Sequence, residues 1–196
     1  MTMGTLTRAG AVFIAISSVL AALLGAAAVL VFSGLYNVAA NAPHTKTMSA
    51  LLSTLRERSI ARYASQIKAP ADLMSSERIT AGARHYSEMC SQCHLGPGLE
   101  PTELSRGLYP AAPQLARKRG QHNPSEQFWI IKHGIKLTAM PAWGKTHSDD
   151  SIWNLVAFVR GLPEMSPQQY SAAVAEMGDE PNTGHGHPDR GQSDKH

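Results

Sequence analysis

The hydrophobic pattern divides the chain before anything else does. From Ala9 to Thr45 there is no Asp, Glu, Lys or Arg, and Ala11 to Phe32 is an unbroken run of 22 apolar, Ser or Gly residues. As a helix that run spans about 33 Å, enough for a bilayer core. A cleaved signal peptide usually has an apolar region of only about 7–15 residues. A small-residue pair does stand at Ala40 and Ala42, but Pro43 directly behind it opposes cleavage. The pattern therefore predicts an uncleaved transmembrane anchor over 9–35. Arg8 precedes the span and the first basic residue after it is Lys46. The positive-inside bias then places 1–8 in the cytoplasm and everything after Tyr36 outside. In a bacterium that is a single pass through the inner membrane, with the remainder on the periplasmic side.

Beyond the span the pattern turns helical. In 36–75, Met48, Leu51, Leu52, Leu55, Ser59 and Ala61/Arg62 recur at spacings of three and four, and Arg56, Arg58, Arg62 and Lys68 lie between them. This juxtamembrane helix either lies on headgroups or docks on a membrane partner, or packs as a spacer on its own domain. Residues 76–163 hold one domain's worth of apolar positions. Ser76 is a candidate N-cap, with Ile79, Ala83 and Tyr86 on one face. Asn123-Pro124-Ser125-Glu126 has the form of a helix start, with Phe128, Ile130 and Ile131 turned inward. Ser148-Asp149-Asp150 opens a last helix whose stripe is Ile152, Trp153, Val156, Phe158 and Val159, and Gly161 and Pro163 end it. Between Gly96 and Gly120 four prolines make the chain loop-like. The fold class is all-α. A short helix is expected over 164–178, followed by a disordered tail over 179–196. The tail's His185-Gly186-His187 and His196 invite weak copper or zinc binding, although a solvated tail is the simpler reading.

Composition narrows the function. With 17% charged residues in 196 the chain is neither disordered throughout nor large enough for a multidomain enzyme or a multi-spanning transporter. Net charge is +3, and 46–176 holds 15 basic against 11 acidic side chains. That balance suits an acidic protein partner or an anionic membrane surface. It is too mild and too unclustered for nucleic acid. Arg117-Lys118-Arg119 is short enough to be a solvated loop.

The chemistry sits at Cys90-Ser91-Gln92-Cys93-His94, which contains the chain's two cysteines. A zinc ribbon needs a second cysteine pair, and a thioredoxin-like dithiol needs a βαβ setting; neither is present. Cys-x-x-Cys-His is the attachment signature of haem c. Two thiols one helical turn apart reach the two vinyl groups of one porphyrin, and the adjacent imidazole comes under the iron. The iron then needs a sixth ligand, and a Met sulfur there raises the potential. Met140, 46 residues after His94, is the candidate, in a loop stiffened by Pro141. Any Met can instead fill a core gap. His133 is the rival ligand, although His133-Gly134 has the form of a helix C-terminus.

With Cys90-x-x-Cys93-His94, Met140-Pro141 and a final helix carrying Trp153 ahead of Leu162-Pro163, the segment Ser76–Pro163 resembles a class I cytochrome c domain, of the kind grouped with the third subunit of cbb3-type oxidases. The resemblance implies helices wrapped around one covalent haem c. It implies contact between first and last helices at Gly82 and Tyr86, and Trp153 near the haem edge. It makes Arg106, Tyr109 and Trp143 candidates to hydrogen-bond a propionate. Leu95 departs from the pattern, because a Gly commonly follows the motif's His. The implied function is a membrane-anchored electron carrier, not an enzyme, that meets a respiratory donor and a terminal oxidase or reductase. A subunit of a dehydrogenase or oxidase complex is the alternative. A haem enzyme or gas sensor with a labile sixth ligand, and a non-haem metal or thiol protein, are the remaining classes.

Overall fold

The computed structural model describes residues 8–117 and 122–175. The expected cytoplasmic segment before Arg8, two residues of the basic run (Lys118 and Arg119) and the His-containing tail lie outside the described residues. The chain divides into two compact units at Pro43. Among the described residues every regular element is helical.

The first unit holds α1, Arg8–Phe32. None of it is buried, and its mean hydropathy is 2.5 over an 18-residue window, so it is long and apolar enough to cross a membrane.

The second unit opens with α2, Lys46–Ala64, capped by the Thr45 hydroxyl, which accepts from the Met48 amide. Ile60 and Ala64 are buried on it. They face α6, Pro124–His133, where Tyr63 stacks on Trp129 at 6.0 Å between ring centroids. Ser125 Oγ donates to the Ile67 carbonyl at 2.7 Å and fastens the end of this segment. The C-terminal half of α2 is therefore a packed spacer helix. α6 starts with the full capping box expected at Asn123 and Glu126, with Pro124 in the first turn, and ends at Gly134.

α3 spans Ser76–His85, and α7 spans Asp149–Gly161. The cap of α3 is Ser75 rather than the expected Ser76: the Ser75 hydroxyl accepts from the Arg78 amide at 3.3 Å. Ser75 is the last extended residue, and this register points the Arg78 side chain at α7. Its guanidinium donates to Asp72, Asp150 and Asn154 at 3.1, 2.8 and 2.8 Å. One side chain thereby ties both helix starts together.

Gly82 is where α3 and α7 meet. A Cβ there would stand 2.1 Å from the Asn154 carbonyl oxygen and 2.8 Å from the Phe158 Cβ. Only hydrogen fits. The approach lets α7 bury both its flanks. One flank, with Leu155, Phe158, Val159 and Leu162, packs with Ala83, Tyr86 and Tyr170. The other, with Ile152, Val156 and Ala157, packs with Leu73 and Phe128. Each side chain brought from water to such a core contributes about 1.5–3 kcal/mol.

Two short helices lie between α3 and α6: α4 (Ser91–His94) and α5 (Glu103–Gly107). The last element is α8, Pro167–Ala175. It belongs to the packed core, because Tyr170 on it is only 4% exposed and lies against Tyr86 and Phe158.

Gly82→Ala forces a methyl into backbone, which cannot move aside as a side chain can. We expect a loss of about 1–3 kcal/mol in denaturant unfolding. Gly107→Ala, where a Cβ meets nothing within 4 Å, should stay within about 0.5 kcal/mol of the parent.

Candidate functional site

The turn that carries the cysteines is not a continuous α-helix. After α3 the backbone widens into one π turn, Tyr86–Cys90, and the Ser91 amide donates to the Tyr86 carbonyl five residues back. A π turn inserts one residue into the helical register and rotates everything after it by roughly 100°. It sits immediately ahead of α4 and so sets the direction of Cys93 and His94. Ser91 Oγ donates to the Ser87 carbonyl at 2.6 Å and takes up one of the displaced groups.

Cys90 and Cys93 are free thiols and half-buried. Burial, with a smaller contribution from Cys93, pushes the Cys90 pKa up to about 12. The thiol therefore stays protonated at neutral pH.

His94 Nδ1 lies 2.9 Å from the Pro113 carbonyl oxygen. A carbonyl only accepts, so Nδ1 carries the proton and Nε2 keeps its lone pair. Burial pulls the imidazole pKa below its ordinary value, and the bond to Pro113 partly offsets that. Both effects are those expected for a neutral histidine set up as a ligand.

Leu95 ends the motif with φ +59° and ψ −174°. That region is close to glycine-only, at about 1–3 kcal/mol for other residues. The sequence departure at Leu95 thus has a physical meaning: the fold demands a glycine-like backbone, and the leucine side chain, 6% exposed, offsets the strain by burial. The Leu95 carbonyl accepts from the Tyr86 hydroxyl. That phenol is fully buried, and burial raises its pKa far beyond the ordinary range. Just beyond, a Cβ at Gly96 would stand 2.6 Å from the Tyr170 ring. Thr102 Oγ1 donates to the Gln92 carbonyl at 2.6 Å and closes the following loop onto α4.

Met140 lies in a self-bonded loop. The Ile135 amide donates to the Met140 carbonyl at 3.2 Å, Thr138 Oγ1 donates to the Ile135 carbonyl at 2.8 Å, and the Met140 amide donates to Thr138 Oγ1 at 3.1 Å. Gly134 has φ +65°, and a Cβ there would be 2.6 Å from the Met140 carbonyl oxygen. Met140 is therefore held by backbone geometry as well as by Pro141. His133, the rival ligand, stands in the last turn of α6 with its ring 5.1 Å from that of Trp129.

The remaining candidates are spread around these elements. Trp153 stacks on Phe128 at 4.3 Å. Trp143 meets His147 edge-on at 5.6 Å. Arg106 is exposed at the end of α5. Tyr109 accepts the His44 amide at 2.7 Å and keeps its own hydroxyl proton to donate.

Sequence reasoning missed the π turn, the Pro113 carbonyl and Tyr170. A signal for the start of α8 stands at Ser166-Pro167-Gln168-Gln169. Ser166 Oγ accepts from the Gln169 amide at 3.2 Å and Gln169 Oε1 accepts from the Ser166 amide at 2.8 Å, a reciprocal cap.

The donor set suits a porphyrin iron: two unpaired thiols spaced one turn apart, an imidazole with an available Nε2, and a thioether in a rigid loop. Among the described residues no three His, Cys, Asp or Glu side chains gather as a protein-only metal site.

The Leu95 balance has an unusual consequence. Leu95→Ala keeps the strain and loses the burial, so it should destabilise by about 2–5 kcal/mol, and Leu95→Gly by about 1 kcal/mol less. Measured stabilities in which Ala outranks Gly would refute the balance. Tyr86 adds a pH test. Its folded pKa is raised, so the unfolded chain loses the proton first and stability falls as pH climbs above about 10. Tyr86→Phe should flatten that alkaline slope while lowering neutral-pH stability by about 1–3 kcal/mol, because the Leu95 carbonyl is left unsatisfied.

Residues 77–159 match the family model described as cytochrome c oxidase, cbb3-type, subunit III. No curated protein and no solved structure gives a significant match.

Proposed function

We propose that the chain is a membrane-anchored mono-haem cytochrome; the match of residues 77–159 to a cbb3-type cytochrome c domain supports a haem-based electron-transfer role. It passes single electrons between a respiratory donor and a terminal oxidase or reductase. Cys90 and Cys93 would hold the haem by thioethers, and His94 and Met140 would be the ligands to its iron. The observation that carries this reading is the His94–Pro113 bond, which fixes the tautomer whose Nε2 can ligate.

Bound haem supplies a one-electron Fe(III)/Fe(II) couple. The chain's own residues do the rest. Pro113 orients His94 and makes it a better donor. The bonds within 135–140 hold the Met140 backbone in place without relying on the iron. Tyr86, Leu95 and Tyr170 keep water from the attachment turn. Arg106, Tyr109 and Trp143 have donor groups for propionates, and Trp153 supplies an aromatic edge. α1 is the anchor, and the domain works on the periplasmic side, where haem c is attached.

The matched family is described as an oxidase subunit, so a subunit of a membrane oxidase or dehydrogenase complex is the second reading. Co-purification of a large redox partner after mild solubilisation decides between the two.

A redox-titrated visible spectrum of the membranes, repeated under carbon monoxide, tests the ligand set. The parent should show a covalent c-type signal at positive potential that ignores carbon monoxide. Met140→Ala should bind carbon monoxide and titrate at lower potential. If neither property changes, Met140 is not the sixth ligand. A carbon monoxide-sensitive parent would move the reading to a haem enzyme or sensor.

A further inference from the structure

The inner side of α2 is occupied, while its outer side is not. Ile60 and Ala64 are buried toward α6. At 100° per residue, Met48, Leu51, Leu55, Arg58 and Arg62 fall about 180° away, on one continuous stripe. Leu51 and Leu55 are 62% and 65% exposed and Met48 is 36% exposed. The stripe is apolar in the N-terminal half of the helix and cationic in the C-terminal half. Fold stability does not account for two leucines so exposed, because the packing of α2 is complete on the other side.

We propose that this stripe lies on an anionic membrane surface, with Met48, Leu51 and Leu55 dipping into the headgroup region and Arg58 and Arg62 pairing with lipid phosphates. The inference rests on α1 being the anchor. Three observations select a membrane over a protein. α2 begins 14 residues after the last residue of α1, and the 13 intervening residues reach at most about 45 Å, so with α1 as anchor the start of the stripe stays tethered within reach of a bilayer. Arginine suits lipid phosphate, and its long stem can run along apolar surface while the head stays in water. The apolar and cationic parts follow each other along one face with no acidic residue among its five positions, so nothing on the stripe repels an anionic surface. The consequence is a domain held at a set height and orientation instead of swinging on a free linker.

The test uses the full haem-loaded chain in single-copy lipid nanodiscs. A nitroxide is placed at Leu55→Cys, or at Leu51→Cys as a second site, with Glu103→Cys on α5 as a control. Collision with dissolved oxygen and with a water-soluble nickel complex is then measured. In discs containing phosphatidylglycerol, the labels at 55 and 51 should be shielded from nickel and open to oxygen, while 103 stays open to nickel. Arg58→Gln with Arg62→Gln should shift the surface-bound fraction toward release by about fivefold for each arginine. Neutral lipid should act in the same direction. Nickel access at 55 and 51 equal to that at 103 overturns the proposal. Shielding that requires a second chain per disc, or an added redox complex, overturns it in favour of a protein interface. Failure of the anchor reading is separately visible, as a chain that leaves the discs. Failure of the haem reading is visible as a parent chain without a covalent c-type absorbance after denaturation.

Discussion

The backbone contact between α3 and α7 at Gly82 is what the rest of the second unit depends on. A missing Cβ lets two helices approach until carbonyl and α-carbon touch. At that distance α7 can bury side chains on both flanks, and the two core clusters form on either side of it. Arg78 closes the same crossing at its solvent edge through Asp72, Asp150 and Asn154. The apolar contact supplies most of the stability, because exposed ion pairs contribute little. The guanidinium chiefly selects the register.

From that crossing the functional turn is built by departures from regular helix. The π turn re-aims the cysteines, and Leu95 turns the chain through a backbone shape that leucine rarely adopts. Tyr86 links the two, since it begins the π turn and its hydroxyl holds the Leu95 carbonyl. Tyr170 then covers Gly96 from α8. The strained segment persists because it is surrounded: each irregular group has a partner from a neighbouring element. The Met140 loop follows a different principle, closing on itself through Thr138 and Gly134.

Much of this was legible in the sequence, and the limits have physical causes. Caps speak through short-range chemistry, so Asn123, Glu126 and Ser148 announced their helices. At Ser75 and Ser76 two adjacent hydroxyls offered the same cap, and only the position of α7 chose between them. Gly82 was readable as a close approach only through the family resemblance, because a lone glycine means little by itself. The Cys90-x-x-Cys93-His94 motif named its chemistry outright. The π turn left no mark, because Tyr86–Cys90 contains no breaker and its extra residue follows from packing. Pro113 was readable as a loop residue, but a carbonyl's hydrogen-bond partner depends on tertiary folding. Leu95 did stand out as a misplaced leucine; its backbone angle explains the oddity. Tyr109 was weighed for its hydroxyl, and its contact with His44, 65 residues away, belongs to the fold alone.

Viewed as a polymer, the crossing is a clasp. Gly82 meets Asn154, and the Arg78–Asp150 bond spans 72 residues of chain. Closing a loop of that length costs roughly 4 kcal/mol of entropy beyond a constant. It also slows folding, since the contact is so distant along the chain. The attachment motif and Met140 both lie inside this one loop. The locally encoded turns, α3 and α6 with their caps, can form early, but the clasp that brings the two halves of the site to a common frame closes over the whole length at once. Anything joining residue 94 to residue 140 would divide the long loop into shorter ones and lower the entropy the clasp has to overcome. Cofactor capture and chain closure would then assist each other.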